Sequence, residues 1–216
     1  MTDVHPQSRV RADPFRVILL DPTLEQPAAE LLARAFFEDP LLLYYLPDCD
    51  QRSRILPGFM CVSLRYCLTY GEVWTTPALD GVACWLPPGK TGFDLWGFIR
   101  TGIGVAPLTM GLSVLLRVRA VERDADRFHH AVMPGPHCYL MLLGVDPGRQ
   151  GQGVGSRLIA PQIAQAKLAN LPCYLETMTE RDVAFYRKNG FTIADEITLS
   201  PSGLHIWAMT TSEPHS

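Results

Sequence analysis

The chain has 216 residues, a net charge of -3, and 47% apolar against 19% charged residues. This is the composition of a folded chain that buries its own core without disulfide or metal staples, and it excludes a disordered one. The mild negative balance leaves no basic footprint for nucleic acid, and no apolar run reaches the roughly 18 residues that span a bilayer.

Met1 to Asp13 is polar and lacks the apolar stretch of a secretory signal, so a cytoplasmic location is expected. The six cysteines form no C-x-x-C pair and mostly sit in apolar runs, which reads as buried, reduced thiols. His129, His130, His137 and Cys138 are the one cluster of ligand-type residues. Their adjacent pairs suit neither one helix face nor a zinc knuckle, so no metal is expected.

In chain order, Phe15 to Leu20 reads as a first strand. Asp21-Pro22 then opens a helix whose apolar face is Leu24, Ala28, Leu31, Leu32, Ala35 and Phe36, and Pro40 stops it. A second helix runs from about Arg52 to Leu68, with Ile55, Phe59, Val62 and Tyr66 at helical spacing. Glu72 to Thr76 and Val82 to Leu86 form a hairpin around Ala78-Leu79-Asp80-Gly81. Residues 90–136 read as a helical insertion covering one end of the sheet, patterned at Leu95 to Ile99 and Leu112 to Phe128.

Cys138 to Val145 is a continuous apolar run, as in a central strand. A glycine-rich loop and a helix to about Asn170 follow, then a strand from Cys173 to Glu176. Asp182 to Asn189 is helical with Gly190 at its end, and Ile193 to Leu199 pairs with Leu204 to Met209. The expected fold is α/β: one domain over 1–216, a mixed, mostly antiparallel central sheet flanked by helices, with flexible tails at 1–13 and 211–216.

The glycine loop carries the chemistry. Gln150-Gly151-Gln152-Gly153-Val154-Gly155-Ser156 follows a buried strand and opens a helix. Glycines there leave main-chain N–H groups unshielded, and with the helix N-terminus they make a site for a pyrophosphate. A Walker loop needs Lys and Ser or Thr after its last glycine, where this chain has Val154-Gly155. A dinucleotide fingerprint is almost met by Gly151-x-Gly153-x-x-Ser156, with Glu176 ending the next strand. That fingerprint wants its first glycine straight off the strand, however, and Asp146 to Gln150 intervene.

Gln150-x-x-Gly153-x-Gly155, with Val145-x-Pro147 before it and Leu158 after it, resembles the GNAT superfamily of N-acetyltransferases. So does the downstream stretch Glu176-Thr177 with Val183, Phe185-Tyr186 and Gly190-Phe191. Trp85-Leu-Pro-Pro, Pro161, Tyr174-Leu-Glu-Thr and Trp207-x-Met209-Thr resemble the puromycin N-acetyltransferase group within it. The likeness spans most of the chain and is loose over 90–136. Asp182 stands where the family usually has Asn, and an ionised carboxylate accepts hydrogen bonds without donating them.

The resemblance implies acetyl-CoA as co-substrate and no metal. The backbone of Leu143, Gly144 and Val145 would pair with the pantetheine arm, and Gln150, Gly151, Gln152, Gly153, Val154, Gly155 and Ser156 would hold the pyrophosphate, with Asp182 nearby. Tyr186 stands at the family's tyrosine acid; its other reading is a core aromatic beside Phe185. Glu176 is the candidate base; its other reading is a solvated carboxylate at a strand end. Glu38, Asp39, His129 and His130 are weaker base candidates, and the Val145 amide is the first choice for stabilising the oxyanion.

The expected reaction is direct transfer of acetyl to a small-molecule amine, with no nucleic-acid or membrane partner, and a homodimer left open. Phe36, Phe37, Tyr44, Tyr45, Trp85 and Trp96 are candidates for an aromatic acceptor pocket, or else for the core. Acetylation of a peptide N-terminus and a non-catalytic CoA-binding sensor are the alternatives.

Overall fold

The computed structural model describes residues 16–90, 112–200 and 202–211. Seven strands form one sheet in the order β1-β2-β3-β4-β5-β7-β6. They are β1 (Ile18–Leu19), β2 (Glu72–Thr75), β3 (Gly81–Leu86), β4 (Cys138–Val145), β5 (Cys173–Thr177), β6 (Thr192–Thr198) and β7 (His205–Thr210). Every neighbouring pair is antiparallel except β4 and β5. The helices are α1 (Glu25–Ala35), α2 (Pro40–Tyr45), α3 (Cys49–Tyr70), α4 (Leu112–Val132), α5 (Val154–Leu168) and α6 (Glu180–Lys188). The mixed, mostly antiparallel sheet flanked by helices is the expected fold class.

Period-two alternation along β3 sorts the core into two clusters, one on each face of the sheet. Val82, Cys84 and Leu86 pack with residues of α1, α3 and α4, among them Leu32, Leu64 and Val121. Ala83 and Trp85 pack with Leu158 and Ile159 of α5 and Tyr186 of α6. Trp85 therefore lies across the sheet from Phe36, Phe37, Tyr44 and Tyr45, which belong to the first cluster. It does not share a pocket with them.

Local chemistry explains the other departures. Pro40 does not stop α1, which ends at Ala35 with Phe36 as its C-cap: it is the first residue of α2, and the Asp39 carboxylate accepts the Leu41 and Leu42 amides at 2.9 and 3.4 Å. A first-turn proline gives up an N–H that the helix does not use there. β1 is reduced to two residues paired with Trp74 and Thr75 at the sheet's edge. Pro161 lies inside α5, whose helical stretch continues to Leu168. The helical patterning at Leu112 to Phe128 is realised in α4, while Leu95 to Ile99 and Trp96 lie outside the described residues, as do most of the expected tails.

α3 ends against β3 through a glycine. A Cβ on Gly71 would stand 2.0 Å from the Trp85 carbonyl oxygen, a backbone atom that cannot swing away. Gly71→Ala is expected to cost about 3 kcal/mol in chemical denaturation, at the upper end of overpacking. Gly58, exposed in the same helix with nothing within 4 Å of its Cβ position, is the control: Gly58→Ala is expected to stabilise by about 0.5–1 kcal/mol.

Two features shape the middle of the sheet. β3 and β4 slip register between Cys84, opposite Leu142, and Trp85, opposite Leu140, leaving Met141 as the extra residue of a bulge. Bulges bend a strand and increase its twist. β4 and β5 then pair only at Cys138–Cys173 and Tyr139–Tyr174. Beyond Tyr139 the two parallel strands have no pairing, so their C-terminal halves splay and leave one edge of β4 open.

Candidate active site at the splayed strands

The loop after β4 is built to present bare amides. Pro147–Arg149 makes a single 3-10 turn, capped by Asp146, whose Oδ1 accepts the Gly148 amide and whose Oδ2 accepts from Arg34 at 2.8 Å. Gly151 and Gly153 both adopt φ of 76°, a left-handed conformation open to glycine and costly for other residues. Gly153 is the N-cap of α5 and has no side chain to cap with. By contrast α2, α3 and α6 are capped by Asp39, Asp48 and Thr179. The first backbone bond of α5 is Arg157 N to Gly153 O at 3.2 Å, so the first-turn amides of Val154, Gly155 and Ser156 have no partner within the helix.

The surrounding contacts hold this turn in place. Gln150 donates to Val145 O at 3.3 Å and accepts from Arg181 at 2.9 Å, which ties β4 to α6. Gln152 donates to Gly148 O at 3.3 Å across the loop. A Cβ on Gly155 would meet the Phe185 ring at 3.0 Å, so the helix mouth sits directly on α6. A helix N-terminus with bare amides and left-handed glycines offers N–H donors and a positive dipole end to an anion. Leu143, Gly144 and Val145 face Ala83, Val82 and Gly81 across β3, and their other edge lies in the strand opening.

Glu176 projects on the first face of the sheet beside this opening. Its Oε2 accepts the Tyr139 hydroxyl at 2.7 Å, and its Oε1 accepts the Tyr174 hydroxyl at 3.0 Å. His129 Nδ1 stands 3.2 Å from Oε1, with the Glu176 side chain 14% exposed. Behind it, His129 Nε2 and His137 Nε2 are 2.8 Å apart, and His137 Nδ1 lies 2.7 Å from Gly135 O. Burial and the Glu176 charge push both tyrosine hydroxyls well above their ordinary range.

A second carboxylate stands near. Glu122 of α4 accepts the Tyr45 hydroxyl at 3.0 Å. Burial, and then the charges of Glu176 and Asp126, push its carboxyl up to about 7, against the pull of the Tyr45 bond. Asp39 is raised by burial too, and the charge of Asp182 adds to this. Glu176 and Glu122 thus stand close enough on the first face for the charge of one to raise the other, while Asp39 caps α2.

Tyr186 packs on the second face, its ring between those of Phe185 and Phe191 at 5.0 and 5.7 Å. Its hydroxyl makes no hydrogen bond among the described residues and is not sealed from solvent. Burial, then the charge of Asp182, raises this phenol above its ordinary range, so it keeps its proton at neutral pH. Asp182, in the first turn of α6, closes the cap with Thr179: its Oδ2 accepts from the Thr179 hydroxyl at 2.6 Å while its own amide donates to Thr179 Oγ1 at 3.1 Å.

Glu176 and Tyr186 are legible in the sequence, but Tyr139, Tyr174, Tyr45, Glu122 and His137 are not legible there as the groups around them. One signal was available: Glu122, Asp126 and His129 recur at i, i+4 and i+7, a polar stripe on one face of α4.

Residues 117–193 match the family described as acetyltransferase (GNAT) domain. That match, on this fold, defines the class: an acyltransferase, for which a GNAT domain implies acetyl-CoA as co-substrate. The chain is similar to a histone acetyltransferase HPA2 and related acetyltransferase from Corynebacterium glutamicum, at 23% identity and TM-score 0.69, covering 93% of this chain and 97% of that one. It is also similar to arylalkylamine N-acetyltransferase 2 from Aedes aegypti (14%, TM-score 0.60, 90% and 97%). A third similar structure is Naa20 from Chaetomium thermophilum, in complex with a bisubstrate analogue (16%, TM-score 0.51, 90% and 85%). At these identities the likeness is one of fold.

Proposed function

We propose that the protein transfers the acetyl group of acetyl-CoA to the amine of a small molecule, by direct attack within a ternary complex. The observation that carries this reading is the strand opening itself. Bare amides at the mouth of α5 flank one side of it and the Glu176 carboxylate, held by Tyr139 and Tyr174, flanks the other.

The residues fit the co-substrate. The amides of Val154, Gly155 and Ser156, with the turn from Gln150 to Gly153, would take the pyrophosphate. The open edge of β4 at Leu143, Gly144 and Val145 would pair with the amides of the pantetheine arm. Asp182, already engaged with Thr179, would border that site. The nearer likeness to the puromycin N-acetyltransferase group belongs to this proposal, resting on Trp85-Leu-Pro-Pro, Pro161 and Trp207-x-Met209.

An alkylammonium has a pKa of about 10.4, so releasing its proton at neutral pH costs roughly 4–5 kcal/mol. Glu176 would accept that proton, on the face where the carboxylates draw a cation in. The amine nitrogen then bonds to the acetyl carbon as the carbon–sulfur bond breaks. Tyr186, on the opposite face, would return a proton to the departing thiolate. The products are the acetamide and free CoA thiol: the nitrogen gives up two protons, one to Glu176 before attack and one, as the amide forms, back to the Tyr186 oxygen that protonated the thiolate, so one proton net remains on Glu176.

The test is thiol release from acetyl-CoA across a panel of amines. Small cationic amines with apolar or aromatic bodies are expected to turn over. Turnover confined to peptide N-termini would move the acceptor to that class. Tight CoA binding with no turnover on any amine would make the chain a sensor. Acetylated enzyme accumulating without acceptor would replace direct attack by a covalent route.

A further inference from the structure

The hydrogens in the line from Gly135 to Glu176 can be counted. Gly135 O only accepts, so His137 Nδ1, 2.7 Å away, carries a hydrogen. The two Nε2 atoms are 2.8 Å apart, so one hydrogen lies between them. His129 Nδ1 faces Glu176 Oε1 at 3.2 Å. A bare ring lone pair against a carboxylate oxygen repels, and a third hydrogen removes that repulsion. Two neutral imidazoles carry two ring hydrogens between them, and the count does not depend on which tautomer is drawn.

The surroundings say where the extra hydrogen rests. His137 is pushed down from its ordinary range, first by burial and also by the charge of His129. His129 is buried, at 4% exposure, and its ring stacks 4.3 Å from Tyr174. The other charged or titratable groups facing the cluster are Glu122 and Asp126 of α4, His130 at 5.8 Å, Tyr139 of β4 and Asp195 of β6. Glu122, Asp126 and Asp195 are carboxylic acids, and among these described residues His130 is the one further group that can carry positive charge. The line is neutral whether the hydrogen sits on His129 Nδ1 or on Glu176, but the Tyr139 and Tyr174 hydroxyls both donate to Glu176 and favour its anion, which leaves the hydrogen on His129.

We infer that His129, backed by His137, is a positioning residue for the acetyl transfer proposed above, holding a third hydrogen against Glu176. A carboxylate offers about four lone-pair directions. Tyr139, Tyr174 and His129 occupy three, so Glu176 is fixed as an anion with one direction, on Oε2, left for the incoming ammonium. This inference rests on the acetyl-transfer reading for its role, but not for its hydrogen count.

The count is measured on the full chain without substrate, by nitrogen-15 NMR of histidine-labelled protein at neutral pH. The pair identifies itself through scalar coupling across its Nε2–H···Nε2 bond. The wild type is expected to show three ring hydrogens on the coupled pair, and Glu176→Gln two. Two in the wild type, or three in Glu176→Gln, overturns the inference. In turnover, His129→Gln is expected to lower kcat at least tenfold, leave KM for acetyl-CoA unchanged, and move the acid limb of kcat to higher pH. That shift follows because a carboxylate without its cationic donor is harder to ionise. A fall in kcat with the limb unmoved makes His129 merely structural and overturns its role. If no amine turns over at all, the transfer reading fails, while the NMR count still decides the hydrogen inference.

Discussion

Tyr186→Phe is expected to lower kcat by about 100-fold or more while KM for acetyl-CoA changes less than about twofold, the range for losing a placed general acid. Phe keeps the ring that packs between Phe185 and Phe191, and the missing hydroxyl leaves no hydrogen bond behind among the described residues. Melting temperature is therefore expected to stay within about a degree, since sites away from a defined contact move stability little. Because burial and Asp182 hold the phenol above its ordinary range, Tyr186 gives kcat no alkaline limb below about pH 10. Equal rates for variant and wild type would remove Tyr186 as the acid and leave the thiolate to depart unprotonated.

Glu122→Gln is expected to stabilise the fold, and far more at pH 8 than at pH 5. The folded carboxyl is raised from 4.5 to about 7, so between those values the native state binds more protons than the unfolded chain. Stability contributed by this group is then present below pH 4.5 and is lost as pH rises towards 7, with no further change above it. The loss is of order 3 kcal/mol. Gln mimics the neutral acid and keeps a partner for the Tyr45 hydroxyl, so the variant escapes that loss. Thermal melts at the two pH values read it, at roughly 2–4 °C per kcal/mol for a chain of this size. An equal shift at both pH values would show that Glu122 ionises in the folded protein as freely as in water.

The glycine loop and the strands around it were legible because their signals are local. A continuous apolar strand, glycines off its end, and an N-cap position without a capping side chain can all be read within twenty residues. Pro40 was not legible as a stop: α1 has already ended at Ala35, and Pro40 begins the next helix, for which Asp39 before it was the sign. Trp85 was first grouped with Phe36 and Tyr45 by residue type. The alternation of β3 puts it on the other face, which residue type could not show because all six residues of β3 are buried.

The histidine line was hidden for a different reason. Taken as neighbours in sequence, His129 with His130 and His137 with Cys138 form no site. The contact that matters joins His129 to His137 across the Pro134-Gly135-Pro136 turn and then reaches Glu176 on another strand. No single window of the chain contains that arrangement, which exists only after β4 and β5 pair at Tyr139 and Tyr174.

Calorimetric titration of the folded chain with acetyl-CoA bears most directly on the account. It predicts saturable one-to-one heat, weakened at least tenfold in Gly153→Val, where a β-branched residue cannot hold the left-handed turn that bares the α5 amides. No heat at millimolar acetyl-CoA, or full binding in Gly153→Val, would contradict it.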